Sequence, residues 1–396
     1  MNRYPSGRAK WTQRLSMVAA ICVAFLVACG GGVSTGGTGS FASGSQTFAS
    51  GPITGFGSIV VNAVHYDDSS ARVESDDGTG HSQDALQLGM VVEVQASEVR
   101  NNAATAESVR IVSELIGRVD SVDADQLVVN GLAVRTDAGT VFDAGFKGGR
   151  AGVQMGSVVE VFGLSTGAAG DVLATRIEPR PNSSTYKFRG TLTQLNTQAH
   201  TFRIGSQAFV YAPQIAGQDQ LANAALVRIT VQTARDSQGR WIVHSINGGA
   251  PSAQDAQAVK VNGVITQFNS LGRFVVNGLT IDATAAAIEG GPLALGQHVK
   301  VEGQVRGGVV IANDVRVLGN NAGNSYETKG RIVAIDSIAR VFDLNGSHGR
   351  VSYARDDIVL VGGTLADLTL DRRVTVRGQL SPDGTLIEAQ RIEFDK

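Results

Sequence analysis

The chain has 396 residues, with 34 Lys and Arg against 36 Asp and Glu, a formal charge of -2. Without residues 1–28, which hold Arg3, Arg8, Lys10 and Arg14 and no acid, 30 cations face 36 anions. That balance excludes a general nucleic-acid binder, which needs surplus Lys and Arg to displace counterions from phosphates. Apolar residues at 42% allow a buried core, and 49 glycines with 18% charged residues suit many tight turns and few long helices.

The cationic start runs into an apolar stretch from Leu15 to Ala28, broken only by Ser16. It is shorter than the ~20 residues of a bilayer span and has the length of a signal-peptide core. It ends in Leu26-Val27-Ala28-Cys29, which resembles the lipobox of bacterial lipoproteins. The resemblance implies that residues 1–28 are a lipoprotein signal peptide. Cys29 then becomes the first mature residue, acylated on its thiol and amine, and ties the protein to a membrane. Gly30 follows Cys29, where Asp is absent; among Gram-negative lipoproteins this implies the outer membrane, on either face. Cys22 leaves with the signal, so the mature chain has one cysteine and no internal disulfide. Residues 29–50 read as an acylated Cys and a Gly/Ser/Thr tether reaching on the order of 25 Å.

From residue 51 onward a module repeats. Its opening strand carries a glycine and ends in a turn: Gly117-Arg118-Val119, Gly190-Thr191-Leu192, Gly263-Val264-Ile265 and Gly330-Arg331-Ile332. Asp120, Asn196, Asn269 and Asp336 read as the turn starters. An apolar run into Asn-Gly comes next, at Asn130-Gly131, Asn277-Gly278 and Asn345-Gly346, with Asn62-Ala63 and Gly205-Ser206 as variants. Asn-Gly between apolar runs predicts a tight hairpin. An alternating strand then follows, as in Val91-Val92-Glu93-Val94, Val158-Val159-Glu160-Val161 and His298-Val299-Lys300-Val301, and a closing strand ends the unit. The expected fold is all-β: a tandem array of about five small OB-like β-barrels at 51–113, 114–181, 182–250, 251–321 and 322–396. Barrels of this size are marginal alone, so neighbours are expected to pack edge to edge or share strands in an elongated array.

These markers resemble the bacterial family called domain of unknown function 5666. Gly51-Pro52-Ile53-Thr54-Gly55-Phe56-Gly57-Ser58-Ile59-Val60-Val61-Asn62 in the first copy carries the nearest likeness, and the second copy adds Gly139-Thr140-Val141-Phe142-Asp143. The resemblance implies an exported protein with tandem copies. It brings no activity, substrate or catalytic residue.

Reactive patterns are sparse. Gly163-Leu164-Ser165-Thr166-Gly167 matches G-x-S-x-G, but no helix-length segment follows it before the closing strand, so a turn is expected. Gly163 aligns with Gly303 and Gly378 as the opener of a hairpin loop. Asp120, Asp123 and Asp125 could form a calcium loop, and Asp67, Asp68, Asp76, Asp77 and Asp84 a weak cation site; turns and solvated loops are the expectation for both. Six scattered histidines show no metal-ligand spacing, so neither a metal nor a cofactor is expected. Trp241 reads as core, yet Trp241, Phe56 and Tyr66 are the candidate ligand contacts.

The resulting reading is a non-catalytic cell-envelope lipoprotein that presents β modules to an unidentified envelope protein or glycan, with membrane contact through Cys29 and no nucleic-acid partner. The alternative is a polysaccharide- or oligosaccharide-binding array, and a further one is a serine hydrolase using Ser165.

Overall fold

The computed structural model describes residues 47–167, 170–251, 253, 256–319, 325–345 and 350–395. They form strands, turns and short 3-10 helices, with no α-helix among the described residues. The chain is all-β, and its strands close into small five-stranded barrels.

Asn-Gly closes a two-residue hairpin because both residues take positive φ, 49° and 78° at Asn130-Gly131 and 51° and 84° at Asn277-Gly278. The Asn side chain then turns back over the opening strand. Asn130 accepts a hydrogen bond from the Arg118 N–H at 2.9 Å and donates to the Ile116 carbonyl at 3.3 Å. Gly117 makes room for it: a Cβ there would lie 2.1 Å from Asn130 Nδ2. Gly263 with Asn277 and Gly330 with Asn345 repeat the pairing. The glycine of the opening strand and the asparagine of the hairpin are thus two halves of one contact. In the third copy Ile204 fills the space above Gly190 instead.

One ring of pairings recurs. In the first copy, Thr47–Phe56 pairs antiparallel with Ile59–Val61, which pairs with Val64–Asp67; Val64–Asp67 lies parallel to Ala103–Val112. Val91–Ala96 joins Ala103–Val112 back to Thr47–Phe56 and closes the barrel. Strand order is therefore one-two-three-five-four, the Greek-key closure of an OB barrel, with no free edge left inside the ring. Leu115–Val122, Thr185–Asn196, Ala258–Ser270 and Tyr326–Asp336 open rings of the same connectivity. Below, the rings are barrels one to five in chain order.

Several expectations need correction. Thr47–Ser50, assigned by composition to the tether, is buried strand, and Phe48 (1% exposed) packs into the core of barrel four. Full burial of such a side chain stabilises by roughly 1.5–3 kcal/mol. Asp120 is not a turn starter: it accepts the Gly131 N–H at 2.7 Å, and Asp123 occupies the position from which Asn196 and Asp336 cap their turns, its own N–H bonded to the Gln126 carbonyl at 2.8 Å. Gly163 does not open a loop but marks a bulge inside the strand Val158–Ser165, as Gly303 and Gly378 do in theirs.

The barrels join edge to edge, but not in chain order. The half of each long opening strand that its own hairpin leaves unpaired takes a foreign strand. Thr47–Ser50 runs parallel to Ala258–Val261, Gly55-Phe56 to Glu327-Thr328, and Leu115-Ile116 runs antiparallel to Lys187-Phe188. Barrel one therefore touches barrels four and five directly, which an elongated string would not allow. Buried ions clamp barrel three to barrels one and two. Lys187 Nζ lies 2.8 Å from Asp76 and Arg228 lies 3.5 Å from it. Arg189 pairs with Glu114 and also donates to the Gly249 carbonyl at 3.0 and 2.9 Å. Burial pushes the Glu93 and Glu114 carboxyls above the usual range, opposed chiefly by Arg110 and Arg189 respectively.

Candidate functional site

The edge-to-edge joints leave a cavity of about 1000 Å³ where barrels one, two, four and five meet. Its barrel-one wall is built by period-two alternation: Val60 and His65 project outward from the strands Ile59–Val61 and Val64–Asp67, beside Asn62 and Ala63 of their hairpin. Barrel two contributes Arg135, Thr136, Leu164, Thr166 and the stretch Leu173–Thr175. Barrel four supplies Asn262, Val264, His298 and Lys300, and barrel five Tyr326, Glu327 and Arg377. Val91, Leu164 and Val264, one residue from each of three barrels, form an apolar seam at its side.

Polar contacts across the joints hold the walls in place. Asn62 Nδ2 donates to the Ser50 and Lys260 carbonyls, both at 3.0 Å, and so straddles the parallel strands of barrels one and four. Tyr326 donates to the Gly139 carbonyl at 2.7 Å, and Thr175 donates to the Gly89 carbonyl at 2.6 Å. Burial pushes the Tyr326 phenol far up, so it stays a neutral donor. Arg377 binds Glu327 at 2.6 Å, and His65 Nε2 stands 3.9 Å from the same carboxylate.

Barrel four supplies the electrostatic asymmetry. His298 Nε2 is hydrogen-bonded to Asn262 Oδ1; an amide oxygen only accepts, so His298 carries its proton on Nε2. Burial, with the Lys300 charge adding to it, pulls His298 down to about 4, so the ring is neutral at neutral pH. Lys300 is half-buried, and burial followed by the nearby Arg316 lowers its pKa. Among the described residues no carboxylate lies within ion-pair distance of Lys300 or of Arg135. The chamber thus presents amides, hydroxyls, the cations Lys300 and Arg135, and the carboxylates Asp125 and Asp137 of the barrel-two wall, beside apolar side chains such as Val60, Leu164 and Val264.

The residues singled out from sequence mostly lie elsewhere. Trp241 is 4% exposed in barrel three, set edge-on to Tyr186 at 5.8 Å and covered by the Arg235 guanidinium at 4.2 Å. Tyr66 is fully buried with its hydroxyl unbonded, and Phe56 is 6% exposed. All three are core side chains with no face presented to solvent, because their positions on the strands point into the barrels. Ser165 ends its strand opposite Val172. Asp67 and Asp77 accept the N–H groups of Ser69 and Thr79 in tight turns, while Asp76 is buried against barrel three rather than solvated. No group of three His, Cys, Asp or Glu able to hold a metal occurs among the described residues. Cys29 lies outside them.

Sequence reasoning missed the chamber. It treated His298 and Lys300 only as wet positions of an alternating strand. The available signal was the difference between copies: His298 and Lys300 stand where copies one and two have Val91 and Glu93, and Val158 and Glu160.

Residues 116–178 and 262–316 match the family model of the Domain of unknown function (DUF5666), and no curated protein matches the chain. The matched stretches are barrels two and four, not the first copy; both carry Asn-Gly in the hairpin, where the first copy keeps the contact of Gly51 with Asn62 but has Ala63 in place of the second glycine. Two separate matches to one domain model are consistent with repeated copies of this domain of unknown function.

Proposed function

We propose that the protein is a non-catalytic, lipid-anchored binding protein of the bacterial envelope, held at the outer membrane through Cys29, whose barrels jointly frame a small-molecule chamber. The chamber itself carries the reading. A cavity of about 1000 Å³ between packed domains, lined by polar and apolar side chains in nearly equal measure, has the size and the placing of a ligand site. Its barrel-one wall is the outer face of strands two and three, the face on which OB barrels bind their ligands. The cationic leader, the apolar run and Leu26-Val27-Ala28-Cys29 support the anchor.

Glycan recognition by aromatic stacking finds less support, since Trp241, Tyr66 and Phe56 are buried and Tyr326 is the aromatic residue in the lining. Two measurements test the reading. Cys29→Ala should abolish fatty-acid labelling and release the protein from membranes; labelling that persists refutes the anchor. Thr166→Trp, which fills the chamber from its barrel-two wall, should abolish saturable small-molecule binding with the fold intact; binding unaffected by this change places the site elsewhere.

A further inference from the structure

Resting on that reading of the chamber, we infer that its ligand is a hydroxylated carboxylate, of which an acidic saccharide is the representative class. Lys300 is a half-buried ammonium with no counter-ion among the described residues, and its neighbours sharpen its need for one. On its own strand His298 is neutral and bonded to Asn262; across the sheet stand Asn262 on one side and Arg316 on the other. The carboxylate closest in influence, Glu302, is engaged by Lys260 at 2.6 Å. Arg135 on the barrel-two wall is likewise without an ion pair among the described residues. Of the carboxylates in the lining, Glu327 is held by Arg377, while Asp125 and Asp137 stand on the barrel-two wall with Arg135, so Lys300 on the opposite, barrel-four wall is the cation that a ligand carboxylate meets. A ligand carboxylate supplies the missing charge, and a hydrogen bond to a charged group is the strong kind.

The hydroxyls of the wall specify the rest of the molecule. Thr54 donates to the Val60 carbonyl at 3.3 Å and Thr166 to the Asp171 carbonyl at 3.1 Å, whereas Thr136 already accepts from Arg150. Thr54 and Thr166 have each spent the hydroxyl proton on the backbone and keep only lone pairs. A ligand that satisfies them must bring donors, which a polyol does and a plain fatty acid or inorganic anion does not.

The test uses the full chain in detergent and calorimetric titration with galacturonate and its trimer. Galactose, acetate and inorganic phosphate serve as controls for the hydroxyls alone, the carboxylate alone and the charge alone. Galacturonate should bind saturably and galactose at least about tenfold more weakly. Lys300→Gln should cost about tenfold or more, Lys300→Arg should restore most of it, and affinity should fall with added salt. If galactose binds as well as galacturonate and Lys300→Gln is silent while Thr166→Trp still abolishes binding, the ligand class is wrong and the chamber stands. Acetate or phosphate binding as tightly as galacturonate also overturns the class. If no compound binds saturably, both the class and the chamber reading fall.

Discussion

The ion clamp between barrels one and three makes a quantitative prediction. The Asp76 carboxylate is 2% exposed and meets Lys187 (9%) through both oxygens, at 2.8 and 2.9 Å, and Arg228 (16%) at 3.5 Å. Asp76→Asn keeps the shape and removes the charge, leaving two desolvated cations side by side. Removing one partner of a buried pair costs about 3–5 kcal/mol. Glu93 lies close enough to influence Arg228, so the lower figure, about 3 kcal/mol, is expected. Lys187→Met should cost less, about 2 kcal/mol, because Arg228 still answers Asp76. The double variant should be more stable than the sum of the two losses, with a coupling of about 1.5–3 kcal/mol. Urea unfolding of the four proteins gives the cycle, and hydrogen exchange across Thr185–Asn196 shows where the loss is felt. Additive effects, or a cost below about 0.5 kcal/mol for Asp76→Asn, would show that the clamp is not a desolvated contact. So would a wild-type stability that falls equally in 1 M salt, since only exposed pairs are screened so strongly.

Three other outcomes follow from the same geometry. Gly117→Ala drives a Cβ to 2.1 Å from Asn130 Nδ2 and should cost about 2–3 kcal/mol, partly recovered by Asn130→Gly; an unchanged melting temperature contradicts the shared contact. Trp241→Ala should destabilise by about 3–5 kcal/mol as a core truncation, whereas selective loss of ligand binding at full stability would return Trp241 to the surface. His298 has a folded-state value of about 4, below its unfolded 6.5, so it costs nothing above pH 6.5. As the pH falls from 6.5 towards 4 it takes away up to about 3 kcal/mol. His298→Gln should remove that loss relative to the parent, and an NMR titration midpoint above 6 would overturn the assignment.

Local chemistry was legible in the sequence. Asn-Gly pairs, alternating strands and a recurring glycine specify hairpins and barrels because turn geometry and side-chain period act within a few residues. The fold class and the likeness to the domain of unknown function followed from them. The same locality misplaced Asp120, since its bond to Gly131 is set across the hairpin and not within a turn. It also gave Thr47–Ser50 to the tether, since that strand exists only through its partners at Ala258–Val261 and Val91–Ala96.

The joints and the chamber belong to tertiary structure. Lys187 and Asp76 are 111 residues apart, and Tyr326 reaches a carbonyl 187 residues away. In every copy the outward residues of the fourth strand looked alike, as wet positions of a period-two pattern. Glu93 sits on Arg110, Arg228 reaches Asp76 and Lys300 faces the chamber. Alternation says which side of a strand points away from its own barrel, but only the docking of other barrels decides whether that side meets water, a counter-ion or a cavity.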